Sequence, residues 1–509
     1  MTRTLNYRSL PQSPQPACTD RTMTSGAHAR SGDGPMTTCT LPERDRAPAL
    51  AAAQPDVWAH LGDWLQRHQR TIHKTQWTVV AIYLVLLIVP VLRPLPDNAA
   101  YIWTNVTRFA QFAFWGIWWP FVILGTALVG RMWCGLLCPE GAITEYASSV
   151  GRARATPRWI TWAGWPTVAF AITTIYGQMV SVYQYPLPTL LILGGSTVAA
   201  AAVGYLYGRN KRVWCRYLCP VSGVFALLAK LAPLHFHVDP EQWRQSQSAG
   251  CRPGPVNCAP LVPLKNMRGA SACHMCGRCS GFRGAIRLAR RSPNNEIVHV
   301  AGQTPKPWET ILIVFGLMGL VVGAFQWSSS PFLISIKQWA AQNLISANVT
   351  WPLDTTAPWW VLTNYPLKND VLTLLDGALL IAYIFAGALA CGGAITLMLA
   401  LATRSLGSWK AARFHHMAQA LIPLAGAGVF LGLSALTVTQ LRSDGIMLPY
   451  VSEARASILI LATLWSATLC WKITGLYSDR TARRIAALAA FCGAMLPANA
   501  AWFVLFWVW

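Results

Sequence analysis

Nine stretches of this chain run for about the thickness of a bilayer with almost no charge, and they constrain its fold more than any other feature. They lie at roughly 77–92, 109–130, 159–182, 187–207, 310–327, 371–402, 416–439, 456–471 and 485–508. A helix needs about 20 apolar residues to cross the hydrocarbon core. Only 12% of the residues are charged and 54% are hydrophobic, against about 25% charged in soluble proteins. The expected fold is an all-α polytopic membrane protein of about nine transmembrane helices, with the lipid bilayer as its first partner.

Lys and Arg in the connections set the orientation. Arg67, Arg70 and Lys74 precede the first span, so the N-terminus is expected inside. Alternation then places 131–158, 209–307, 403–415 and 472–484 inside, each with its own basic residues, and the C-terminus outside. Segment 209–307 alone carries 15 Lys and Arg against three acids, Asp239, Glu241 and Glu296. The net charge of +22 thus reflects inside bias and docking of an acidic redox partner. Nucleic acid is not an expected partner, because no aromatic interleaving or recognition motif accompanies the basic patch.

Composition divides the chain. Residues 1–55 lack hydrophobic periodicity and read as a disordered tail without a signal peptide; Met23 and Met36 could serve as alternative starts, and Cys18 and Cys39 as incidental. Residues 56–75, with Trp58, Leu61, Trp64 and Leu65 on one face, predict an interfacial amphipathic helix. A first membrane unit follows over 76–234 and a small cysteine-rich cytoplasmic insert over 235–307. The second membrane unit, five helices over 308–509, is chemically quieter. The insert has so few apolar side chains that a metal or cluster is expected to staple it.

The chemistry-bearing residues are cysteines. Trp133-Cys134-Gly-Leu-Leu-Cys138-Pro139 recurs 81 residues later as Trp214-Cys215-Arg-Tyr-Leu-Cys219-Pro220. Each W-C-x3-C-P closes an apolar span, and two thiols four apart are expected one helical turn from each other. Four such thiols could hold a cluster, cycle through disulfides, or bind copper, which favours soft sulfur. Cys273-x2-Cys276-x2-Cys279 has the spacing of three ligands to a [4Fe–4S] cubane, whose fourth comes from elsewhere. Arg283 stands where a ferredoxin's next cysteine would be. The remote ligand is therefore expected from Cys258 or Cys251, with Cys258 favoured. Zinc is the competing metal, but it prefers paired C-x2-C.

Other polar residues carry blander expectations. His415 and His416 read as a solvated pair at a span mouth, His235 and His237 as surface residues, and His274 as pointing outward. Cys391, Cys470 and Cys492 read as small core hydrophobes. Asp376 is an intramembrane acid, functional by default unless solvated at the outer face. Trp118, Trp119, Trp359, Trp360, Trp507 and Trp509 fit an interfacial aromatic belt.

Gly116-Ile-Trp-Trp-Pro120, followed by Gly130-Arg-Met-Trp-Cys134-Gly-Leu-Leu-Cys138-Pro139-Glu-Gly-Ala142, resembles the polyferredoxin-like membrane iron–sulfur proteins. These include NapH of periplasmic nitrate reduction, NosR of nitrous-oxide respiration and CcoG of cytochrome oxidase assembly. The resemblance covers about 110–290. It implies an electron-transfer protein of the bacterial inner membrane with cytoplasm-facing [4Fe–4S] chemistry. Such a protein links the quinone pool or a cytoplasmic donor to a respiratory or metal-centre acceptor. Two departures follow. The insert keeps one ferredoxin-like motif and only Cys251 and Cys258 of another, so one cluster is expected, with a second open at the C-x3-C-P motifs. The longest outer loop, about 328–370, is too small to hold a covalent flavin. A copper-handling reductase or assembly factor, and a sensor with a structural cluster, are the competing functions.

Overall fold

The computed structural model describes residues 57–97, 99–248 and 254–509. The expected tail over 1–55 and the candidate ligand Cys251 lie outside the described residues. A short helix, α1 (Val57–Arg67), leads into α2 (Gln69–Leu92), the first of eight described helices long and apolar enough to cross a membrane. The next is α3 (Val106–Val129). Asn105 caps it, accepting from the N–H groups of Thr107 and Arg108, which satisfies two of its orphan donors.

The expected third span is a helix of only 15 residues, α4 (Trp165–Met179). It falls below the length and apolarity of the eight, since Pro166 opens it and Gln178 closes it. It nonetheless runs between two levels of the fold. Trp162, just before it, meets Trp308 edge-on at 4.9 Å between centroids, and Gln178 at its far end accepts from Trp327 Nε1 at 2.9 Å. Trp308 and Trp327 lie at the two ends of one crossing helix, Pro307–Ser329. Helix α4 therefore returns the chain so that α5 (Pro186–Leu206) descends to the same side as α3.

Beyond α5, two strands form an antiparallel ribbon, β1 (Leu234–Val238) and β2 (Ile286–Arg290), with Phe236 opposite Leu288. The remaining crossing helices are α6 (Pro307–Ser329), α7 (Leu374–Ser405), α8 (Ile422–Ser443), α9 (Val451–Gly475) and α10 (Thr481–Val508). The protein is an all-α polytopic membrane protein. The two membrane units share one apolar core, in which Val122 and Ile123 of α3 join Leu317 of α6, Leu399 of α7 and Trp502 of α10. Cys470 is buried within it, whereas Cys391 is half-buried outside it and Cys492 is exposed on α10, so neither of these is a core residue. Trp118 likewise turns inward, packing edge-on against Trp133 at 4.8 Å rather than joining an outer belt.

Asp376 has a structural role at the start of α7. It is the third residue of a capping box with Thr373 and pairs with Lys337 at 2.5 Å, a reciprocal arrangement that satisfies orphan N–H groups.

The ribbon carries the insert's own core. Leu234, Phe236, Ile286 and Leu288 are buried with Met275 and with two of the cysteines, Cys273 and Cys279. Helix α1 forms where the amphipathic pattern predicts, and its apolar face covers this core: Trp58 and Leu61 pack against it. Gly62 lies so close to the ribbon that a Cβ would sit 3.0 Å from Leu288 Cβ. Ser280 Oγ donates to Asp63 at 2.8 Å across the same interface. The far end of the insert is drawn under the second membrane unit. Ile297 and Val298 belong to the main core, and His416 Nε2 donates to the Ile297 carbonyl at 2.8 Å while Nδ1 accepts from Tyr477 at 2.7 Å. His416 is therefore buried and fully bonded, not solvated.

Candidate metal centre

Each dyad is a broken helix rather than a continuous one. Cys134 lies in a short helix, Met132–Leu136, and Cys138 stands extended (ψ 119°) before the helix Pro139–Val150. The residue before a proline avoids the helical region, so Pro139 breaks the turn and splays the two thiols. The second copy repeats this, with Cys215 in Val213–Tyr217 and Cys219 just past its end. In the first copy the Trp133 carbonyl accepts from the N–H groups of Leu137 and Cys138 at 3.0 and 2.9 Å. In the second the Trp214 carbonyl accepts from Leu218 and Cys219 at 2.9 and 3.0 Å. One local geometry serves both repeats.

The two copies meet. Burial pushes the Cys138 and Cys219 thiols well above the ordinary range and Cys215 up to about 12. Glu140, then Cys215, Cys138 and Cys134, lie close enough to raise Cys219 further, and Cys215, Cys134 and Glu140 do the same to Cys138. Glu140 of the first copy accepts from Trp214 Nε1 of the second at 3.0 Å, and from Ser196 Oγ at 2.6 Å. The four dyad cysteines thus form one quartet, with Cys134 and Cys215 buried.

A second quartet forms in the insert. Cys258, Cys273, Cys276 and Cys279 line one cavity, together with His274, Phe236 and Val262. The C-x2-C-x2-C segment turns through left-handed residues, Met275 (φ 55°) and Gly277 (φ 77°). Gly277 is required there twice over, because a Cβ would also sit 2.4 Å from Leu65 Cβ of α1. Burial pushes Cys273 up to about 12 and Cys279 well above its ordinary value, and Cys258 upward as well. Cys273 Sγ already accepts the Met275 N–H at 3.4 Å.

The quartets touch. A Cβ on Gly135, inside the first dyad, would lie 2.0 Å from the His274 carbonyl oxygen and 2.9 Å from the Cys276 nitrogen. Helix α2 and its entry clamp both sides of this joint. Gln76 Nε2 donates to the Gly135 carbonyl at 2.7 Å, and Gln69 Nε2 to the Cys276 carbonyl at 2.8 Å. Those residues are seven apart, on one helix face.

Two arginines sit between the quartets. Arg212 donates through Nε to Glu145 at 2.8 Å and through Nη1 to the Cys134 carbonyl at 2.5 Å. Burial opposes its charge, but Glu145, Cys215 and Cys276 together hold it firmly protonated. Arg131 donates to the Ser271 carbonyl and to Ser222 Oγ, both at 3.1 Å, and Ser222 Oγ in turn donates to the Cys215 carbonyl. Arg131 lies near enough to lower both Cys215 and Cys273.

This setting fits a cluster. Arg131 Nε, Arg212 Nη2 and both ring nitrogens of His274 are buried and have no hydrogen-bond partner, and buried donors are rarely left so. An anionic group with sulfur acceptors would satisfy them, and buried thiols with raised pKa values need a cation core before they can ionise. Among the described residues, no three His, Cys, Asp or Glu side chains converge as one metal ion requires.

The sequence missed His274, Arg131 and Arg212. His274 is buried, not outward, because the left-handed turn at Met275 tucks it beneath the loop. The arginines did carry a signal: the repeat extends upstream, to Arg131-x-Trp133-Cys134 and Arg212-x-Trp214-Cys215. Other expected candidates stay apart. His235 and His237 lie 5.7 Å from each other on β1 and join neither quartet. Arg283, in the missing-cysteine position, stacks over Trp243 and Phe282.

Residues 111–157 and 190–238 match a family described as a 4Fe-4S binding domain. The matched stretches contain the two dyads and leave out the C-x2-C-x2-C loop. YccM of Escherichia coli (strain K12), whose name places it in electron transport, is 21% identical over 236 residues, 40% of this chain and 62% of that protein. The chain therefore spans less than two thirds of that relative's length. No solved structure matches. The chain is thus similar to a 4Fe-4S binding domain around its two dyads and, more distantly, to a protein named for electron transport.

Proposed function

We propose that this protein carries two [4Fe–4S] clusters at the cytoplasmic face of the bacterial inner membrane and relays electrons through them. Cys134, Cys138, Cys215 and Cys219 would hold one cluster, and Cys258, Cys273, Cys276 and Cys279 the other. The single observation that carries this reading is the backbone contact between Gly135 and His274, which sets the two cysteine quartets side by side. When bound, each cluster supplies a one-electron couple whose potential follows net charge, hydrogen bonds to sulfur and solvent exposure. The chain's own residues supply those conditions. Burial of the thiols excludes water, and Arg131 and Arg212 offset the negative charge that an added electron brings.

The basic inside loops support a cytoplasmic N-terminus and an outside C-terminus. The likeness to YccM supports electron transport, and the resemblance to NapH, NosR and CcoG supports a quinone or cytoplasmic donor and a respiratory or metal-centre acceptor. The basic insert favours a redox partner with an acidic docking face.

The test is metal and spectroscopic analysis of anaerobically purified full-length protein and two variants, Cys215→Ser and Cys273→Ser. Each variant should lose one EPR signal and about half the iron while keeping the other. A Cys215→Ser protein with undiminished iron sinks the two-cluster assignment, and copper in place of iron at the dyads would establish the metal-handling alternative.

A further inference from the structure

His274 is 1% exposed, and neither ring nitrogen has a hydrogen-bond partner. An imidazole always carries at least one N–H, so a donor is held inside the protein with nothing to receive it. His274 is among the residues lining the cavity bounded by Cys258, Cys273, Cys276 and Cys279. The charged groups that face it are Arg131, Arg212 and Arg216, all cationic. Its backbone forms the joint with Gly135 of the other quartet. A buried N–H in such surroundings needs an acceptor, and the described residues give it none.

We infer that His274 is a positioning residue for the cluster of the insert: its ring N–H donates to a sulfur of that group and makes the group easier to reduce. The role rests on the two-cluster reading above. It asks for no change of protonation, only for a donor fixed in place. Hydrogen bonds to cluster sulfur favour the more negative, reduced form.

The experiment compares anaerobic full-length protein with His274→Leu, which removes the donor, and His274→Gln, which keeps one. Iron content and redox-titrated EPR are read together. At a fixed solution potential, His274→Leu should show at least a tenfold lower ratio of reduced to oxidised insert cluster, about 59 mV for a one-electron couple. Iron content and the dyad signal should be unmoved, and His274→Gln should recover much of the shift. A His274→Leu protein with full iron and the native potential overturns the inference. Where His274→Leu loses its cluster, pulsed EPR of native protein with isotope-labelled histidine replaces it. A weak histidine nitrogen coupling to the insert cluster, absent in His274→Gln, supports the role, and no coupling overturns it. A native protein without iron at the insert sinks the underlying assignment and this inference together, an outcome distinct from a filled site with an unmoved potential.

Discussion

Arg131 and Arg212 occupy the same place in the two repeats, two residues before each Trp, and each reaches into the opposite repeat. Arg212 bonds to the Cys134 carbonyl, while Arg131 reaches the Cys215 carbonyl through Ser222. The exchange locks the dyads together at the point where the proposed cluster would draw on all four thiols. Two buried guanidinium groups also place positive charge beside sulfurs that would otherwise repel one another.

Replacing Arg212 should therefore do more than remove a surface charge. Arg212 is 1% exposed in its side chain and its partner Glu145 18%. Arg212→Met should destabilise by about 1.5–3 kcal/mol, because the Cys134 carbonyl loses a charged donor while Glu145 keeps Arg278 at 2.5 Å. Arg212→Lys should recover little, because an ammonium cannot serve Glu145 and the Cys134 carbonyl with one planar fork. Thermal unfolding and iron content check this together, and an unchanged melting point in Arg212→Met contradicts it.

Gly135→Ala should separate the quartets. The added methyl has no room beside the His274 carbonyl and the Cys276 nitrogen, both backbone atoms. Overpacking of this kind costs about 1–3 kcal/mol and shifts the backbone. The expected result is a loss of magnetic interaction between the two reduced clusters, with each cluster's own iron retained. Gly125→Ala, where a Cβ would meet nothing within 4 Å, is the control.

His235 gives the insert a pH dependence. Burial, with Arg291 and His237 nearby, holds its pKa down to about 4 from the ordinary 6.5. The unfolded chain takes up a proton near pH 6.5 and the folded one only near pH 4. Between those values the unfolded state binds more protons, so stability rises with pH. The upper bound is roughly 3 kcal/mol. His235→Gln should flatten the melting temperature of the insert across that window relative to native protein. Parallel curves for the two would show that His235 is not the group responsible.

Much of this arrangement was legible in the residues. Apolar lengths predict the membrane helices, and cysteine spacing separates a repeated dyad from a three-ligand loop, because both are local patterns. Helix α4 was legible as an apolar stretch but not as a short helix, since Pro166 and Gln178 set its ends. The joint between the quartets was not legible at all. Gly135 and His274 are far apart in the chain, and a glycine's value there lies in what it lacks. The docking of α1 on the insert was hidden for a related reason: an amphipathic face asks for an apolar partner and does not say whether lipid or protein supplies it. The upstream arginines were visible but read as inside-loop charges. Their burial depends on both repeats arriving at one place.

The count of iron and acid-labile sulfide per chain, in full-length protein purified without oxygen, tests the central claim most directly. Two filled quartets require about eight of each. A value near four would leave one quartet without a cluster, and a protein with neither iron nor sulfide would contradict the account outright.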